Sequence, residues 1–119
     1  MKKLIIGCTF VLLSGCSLWM AGYDSNEYTL VNRVRTIAEI GSCDKATVTE
    51  LYNNAAEFKN FAQYIPRNQA TIDLSKNLYI LVDELYKKEN PSPAYCKIKL
   101  NIIAKSAEQI QQVVGSKPR

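Results

Sequence analysis

Apolar residues recur along most of the chain at steps of three and four, the spacing of one helix face, and no run alternates as a half-buried strand would. Val31, Val34, Ile37 and Ala38 form the first stripe, in a helix predicted over 24–40. Asp24, followed three residues later by Glu27, fits a capping box with Asp in place of Ser or Thr. Gly41 supplies the stop, because glycine takes the left-handed conformation at little cost. Val48, Leu51, Tyr52, Ala55, Phe58, Ala62 and Ile65 form the second stripe, over 44–65, ended by Pro66. Leu74, Leu78, Leu81 and Leu85 form the third, over 68–89, with Lys87 and Lys88 placed to meet the negative end of the helix dipole. Ser92 as N-cap and Pro93 at the first helical position open a fourth helix. Its stripe is Cys96, Leu100, Ile103, Ala107, Ile110 and Val114, with Gly115 as its stop and Pro118 just beyond.

An amphipathic surface helix normally buries its stripe, so each stripe is expected to be core. Four such helices with short connections predict an all-α fold, an up-down-up-down antiparallel four-helix bundle over residues 24–115. A chain of 119 residues has room for one such core and no second.

The first fifteen residues read differently. Lys2 and Lys3 precede an apolar stretch over 4–13, about ten residues long, where a membrane span needs roughly 20. That pattern is a secretory signal. It ends on Leu13-Ser14-Gly15-Cys16, which resembles the bacterial lipobox: an aliphatic residue, two small residues and a cysteine. The resemblance implies a lipid on Cys16, removal of residues 1–15, a lipidated linker over 16–23, and a membrane-anchored protein with no other cofactor. Three acyl chains hold a protein far more firmly than one. In Gram-negative lipoproteins Asp after the lipidated cysteine favours inner-membrane retention. Ser17 in that place implies the outer membrane, with the bundle on the periplasmic side. Trp19 suits the membrane interface and suits packing on the bundle equally well.

The lipobox changes the cysteine count. Cys8 leaves with the signal and Cys16 carries lipid, so Cys43 and Cys96 remain in a compartment that permits disulfides. In the predicted bundle the second and fourth helices run parallel, with both N-termini at one end. Cys43 precedes the second helix and Cys96 lies in the first turn of the fourth, so an intramolecular bridge is expected. Closing a loop of about 54 residues is worth about 4 kcal/mol in the chain-entropy model. An intermolecular bridge, making a homodimer, is the alternative. Zinc or redox chemistry is disfavoured, since there is no C-x-x-C spacing and no histidine.

Charge narrows the functional classes. Of 15 basic residues Lys2 and Lys3 belong to the signal, leaving 13 against 11 acids, with no basic stripe for nucleic acid. The chain has no histidine, which removes the commonest general acid/base and metal ligand. Asp83 and Glu84 are adjacent on a helix and so point apart rather than flanking a substrate. No phosphate loop or nucleophile elbow appears, and the chain reads as not an enzyme. Tyr79 and Tyr86 are expected as core flank.

Topology also orients the molecule. The lipidated end holds the start of the first helix, the turn over 64–68 and a basic tail over 116–119. Arg67, Lys117 and Arg119 are candidate membrane contacts there, a solvated tail being the plainer reading. The Cys43–Cys96 end, with Lys45, Lys87, Lys88, Lys97 and Lys99 diluted by Asp44, Glu84 and Glu89, is the candidate partner surface. Small size, the lipobox, a helical exported part and no catalytic set together resemble the outer-membrane lipoprotein of phage lysis spanins. That family binds a helical inner-membrane protein and brings two membranes together in host-cell lysis. The chain departs from the family's common form, which is shorter and proline-rich. An exclusion or inhibitor lipoprotein of phage or plasmid origin, and a ligand-binding envelope module with a pocket inside the bundle, are the alternatives.

Overall fold

The computed structural model describes residues 21–119. The expected signal peptide, Cys16 and Trp19 lie outside the described residues. Four helices make up the regular structure among those described: α1 Ser25–Ile40, α2 Lys45–Gln63, α3 Gln69–Lys87 and α4 Pro93–Gly115. Each packs on its neighbours in the ring, α1 on α2 and α4, and α3 on α2 and α4, as the up-down-up-down order requires.

The helix starts follow local chemistry. The Asp24 carboxylate accepts from the amides of Asn26 and Glu27 at 2.8 and 3.1 Å. Asp44 accepts from the Thr47 amide at 3.3 Å and its hydroxyl at 2.7 Å. The Ser92 hydroxyl accepts from the Tyr95 amide at 3.1 Å, with Pro93 next in the chain. Each bond satisfies a donor that the first helical turn would otherwise leave unpaired. Asn68 also precedes a helix, α3, but makes no side-chain cap, because its amide is engaged elsewhere. Gly41 ends α1 at φ 75°, the left-handed conformation expected of it.

Gly115 departs from expectation. It is the last residue of α4, the cap is Ser116 in right-handed conformation, and Gly41 is the one described glycine with positive φ. Space is tight at 115: a Cβ there would come within 3.2 Å of the Tyr28 ring, which would have to shift by a few tenths of an ångström.

The α4 stripe is buried throughout, from Cys96 to Val114. It meets Leu30, Val31, Val34 and Ala38 of α1, Leu51, Ala55 and Phe58 of α2, and Leu78, Val82 and Leu85 of α3. Fully burying one such Leu, Val or Phe side chain is worth about 1.5–3 kcal/mol. The α3 stripe is rotated from the leucine line. Thr71, Ser75, Leu78, Val82 and Leu85 are buried, while Leu74 and Leu81 pack half-buried at its edges. Small residues occupy the half of α3 nearest Asn68, where a buried polar cluster takes the space that leucines fill elsewhere.

Candidate functional site

The helix order places the functional candidates at two opposite ends. One end, the base, gathers the start of α1, the α2–α3 turn and the residues after α4. The other, the far end, gathers the α1–α2 turn, the α3–α4 turn and the start of α4.

At the base the chain entering α1 is docked rather than trailing. The Ala21 amide donates to the Arg67 carbonyl at 3.1 Å, and the Tyr23 amide to the Pro118 carbonyl at 2.8 Å. Beneath these bonds lies a buried polar triad. Lys117 Nζ donates to Glu27 Oε1 and to Asn68 Oδ1, both at 2.5 Å. Asn68 Nδ2 donates to Glu27 Oε2 at 2.7 Å and to the Ala62 carbonyl at 3.0 Å. The Glu27 side chain is 0% exposed and that of Lys117 5%.

Two expectations are corrected by this cluster. The Glu27 carboxylate turns inward to Lys117 and Asn68, so Asp24 caps α1 without a reciprocal capping box. Lys117 is no membrane contact and no part of a solvated tail: its ammonium is held inside the base by a buried carboxylate. The other basic candidates are at the surface. Arg119 lies over the Tyr23 ring at 4.4 Å, and exposed Arg67 adopts φ 59° in the turn. Tyr64, three residues before Arg67, is 86% exposed.

At the far end Cys43 and Cys96 are paired, with Cα atoms 6.2 Å apart, inside the range a bridge needs. The bond ties the leading ends of α2 and α4, the diagonal pair of the bundle. Cys96 is buried and Cys43 is exposed.

Beside Cys43 opens a groove of about 430 Å³. Val48, Leu85, Tyr86 and Pro91 give it apolar surface, and Lys45, Lys87, Lys88 and Glu89 supply its charges. Asp44, which caps α2 next to it, is held below the usual carboxylate range by hydrogen bonds from Ser42 and Thr47. Lys87 pairs with Asp83 at 3.1 Å, and the Lys88 ammonium lies 5.4 Å from the Tyr95 ring centre. Lys99 pairs with Glu84, so the adjacent Asp83 and Glu84 do diverge.

Tyr86 also begins a tyrosine cluster on the α2–α3 seam. Its ring lies 4.2 Å from that of Tyr52, which lies 5.5 Å from that of Tyr79. The Tyr52 and Tyr79 hydroxyls share a hydrogen bond of 2.7 Å, and the Lys59 ammonium sits 4.1 Å above the Tyr79 ring. That bond, with desolvation, pushes the Tyr79 phenol up to about 12.

The triad and the groove were not anticipated from the sequence. Glu27 did carry a signal, since it precedes Val31 by four residues and Leu30 by three and so lies on the apolar stripe. The shape of the groove carried none, being built from two stretches of chain, 43–49 and 85–91, that meet only on folding. Among the described residues no helix is long and apolar enough to cross a membrane. None of their His, Cys, Asp and Glu side chains form a group of three or more able to hold a metal. Comparison with known protein families, curated proteins and solved structures gives no match to this chain.

Proposed function

We propose that the protein is a lipid-tethered docking bundle of the bacterial envelope, anchored through Cys16 and presenting its far end to a partner protein. The observation that carries this reading is the docking of Ala21 and Tyr23 onto the base. Only four residues separate Cys16 from Ala21. At no more than about 3.6 Å per residue, a lipid on Cys16 stays within about 18 Å of the base. The nineteen residues of α3 then carry the far end roughly 28 Å further out, at 1.5 Å per residue. An anchor at Cys16 would thus tether the base, with the groove at the opposite end of the bundle. Exposed Tyr64 and the Arg119–Tyr23 pair, on the anchored side, suit a membrane interface.

In its narrower form the reading is the outer-membrane subunit of a phage spanin pair, whose helical inner-membrane partner would reach the far end across the periplasm. A docking role is favoured over a ligand pocket inside the bundle because the larger described cavity opens at the end, beside the α3–α4 turn, and not between the four stripes.

Metabolic labelling with a palmitate analogue and membrane fractionation test the anchor. Label on the wild type, lost with Cys16→Ser together with outer-membrane fractionation, is the expected result; an unlabelled soluble wild-type protein overturns it. Deletion of the gene tests the narrower form. Host lysis blocked in the presence of divalent cations supports a spanin, and unimpaired lysis removes that assignment.

A further inference from the structure

We propose that the far-end groove receives an acidic segment of the partner protein, one that places aliphatic residues among aspartates or glutamates. This rests on the docking reading above and names the chemistry of its occupant. Val48, Tyr86 and Pro91, over the buried Leu85, offer an apolar surface that an aliphatic side chain would desolvate. Three ammonium groups, Lys45, Lys87 and Lys88, line the groove with a single carboxylate, Glu89. Asp83 engages Lys87, so the excess among the lining residues is that of Lys45 and Lys88, both exposed, over Glu89; Asp44, a carboxylate capping α2, lies outside the lining and offsets part of it. An apolar centre with a charged rim is the usual anatomy of a protein–protein interface, the rim giving orientation and association rate. At about 430 Å³ and open to solvent, the space suits a few side chains of a peptide rather than an enclosed small molecule. A basic segment would meet like charge here, and a membrane surface is already assigned to the opposite end.

The wall formed by α2 has its leading end fixed by the Cys43–Cys96 bond, and Cys43 itself lines the groove. Binding is therefore expected to weaken when the bond is reduced.

The test uses the full chain in neutral detergent and a short fluorescent peptide alternating glutamate with leucine, read by anisotropy. A matched peptide of lysine and leucine is the control. Saturable binding of the acidic peptide alone is expected, weakening with added salt and falling at least about tenfold with Lys45→Glu and Lys88→Glu combined. These lysines are exposed, and an unchanged circular dichroism spectrum shows that the variant is folded. Absence of saturable binding, equal binding of the basic peptide, or indifference to the lysine reversal overturns the proposal. So does displacement of the peptide by phosphatidylglycerol vesicles, which would assign the lysines to a lipid surface. Failure here is separable from failure of docking as such. Benzoylphenylalanine at Ile98 or Ile102, on the outer face of α4, crosslinking in cells to an inner-membrane protein would keep docking and remove the groove as its site.

Discussion

The base and the far end face the same task, holding together chain segments that are distant in sequence, and they solve it by different chemistry. The base uses two opposite charges and an amide, all buried, to join α1, the α2–α3 turn and the residues after α4. The far end uses one covalent bond between α2 and α4 and leaves a groove with lysines at its rim. A buried ion pair is intolerant of losing one member, because the survivor is an uncompensated charge in a low-dielectric site. A disulfide leaves its neighbours free to vary. The end nearer the expected anchor is thus the one whose residues are fixed by the fold. The end facing away keeps its charged side chains for other work.

That contrast breaks first at Glu27. Glu27→Ala leaves Lys117 buried without its carboxylate and is expected to cost about 3–5 kcal/mol, measured by urea unfolding. The paired replacement Glu27→Leu with Lys117→Met is expected to recover part of that loss, because it removes both charges and keeps the volume but leaves the buried Asn68 amide without two of its partners. If both variants fall equally, packing rather than charge holds the base.

The far end answers to redox instead. Cys43→Ser with Cys96→Ser, or reduction of the wild type, is expected to lower stability by up to about 4 kcal/mol, given a sequence separation of 53. Its signature is a lower denaturant midpoint for the reduced protein, with the Glu27 effect unchanged at this distance. Nonreducing electrophoresis should show a monomer; a covalent dimer would transfer the bond to an interface between copies.

The two ends also differed in how far they could be read from the chain. The Cys43–Cys96 pairing follows from helix order, since one cysteine precedes α2 and the other sits in the first turn of α4, at the same end of a bundle. Ser92-Pro93 and an unbroken stripe made the start and the buried face of α4 legible. The base was not legible because its burial is decided by tertiary closure. Glu27 three residues after Asp24 fits a local cap as well as it fits a buried pair. Lys117 beyond a glycine reads as a solvated tail, and only the return of the chain onto Tyr23 buries it. Thr71 and Ser75 are polar and carry no apolar signal, so the leucine spacing of α3 points to Leu74 and Leu81 in place of the buried Thr71 and Ser75.

Thr71 sharpens the contrast with a change of opposite sign. Its hydroxyl is buried and has no hydrogen-bond partner, unlike that of Ser75, which donates to the Ile72 carbonyl at 2.7 Å. Thr71→Val keeps the shape and removes an unsatisfied polar group, so a gain of about 1 kcal/mol is expected in the same urea assay. A loss would show that the hydroxyl has a partner in solution and that the polar base extends further along α3.

The smallest effect lies between the two ends, on the tyrosine seam running from the groove. The Tyr79 phenol is pushed up to about 12 from an ordinary 10.0, first by its hydrogen bond with Tyr52 and then by desolvation. The folded state therefore keeps this proton where the unfolded chain has lost it. The associated stability is fully present below pH 10 and is lost as pH rises towards about 12. Tyr52→Phe removes the hydroxyl that Tyr79 bonds, so a phenolate absorbance titration should show the latest-titrating tyrosine move down towards the ordinary range. The same variant should flatten the alkaline fall by lowering stability in the acid and neutral range, where the hydrogen bond contributes in full, and should leave stability above about pH 12 nearly unchanged. Because Tyr52 packs on both Tyr79 and Tyr86 but itself lies outside the groove, a change in binding of the acidic peptide with Tyr52→Phe would extend the docking surface down the α2–α3 seam. Unchanged binding would confine it to the end that the disulfide closes.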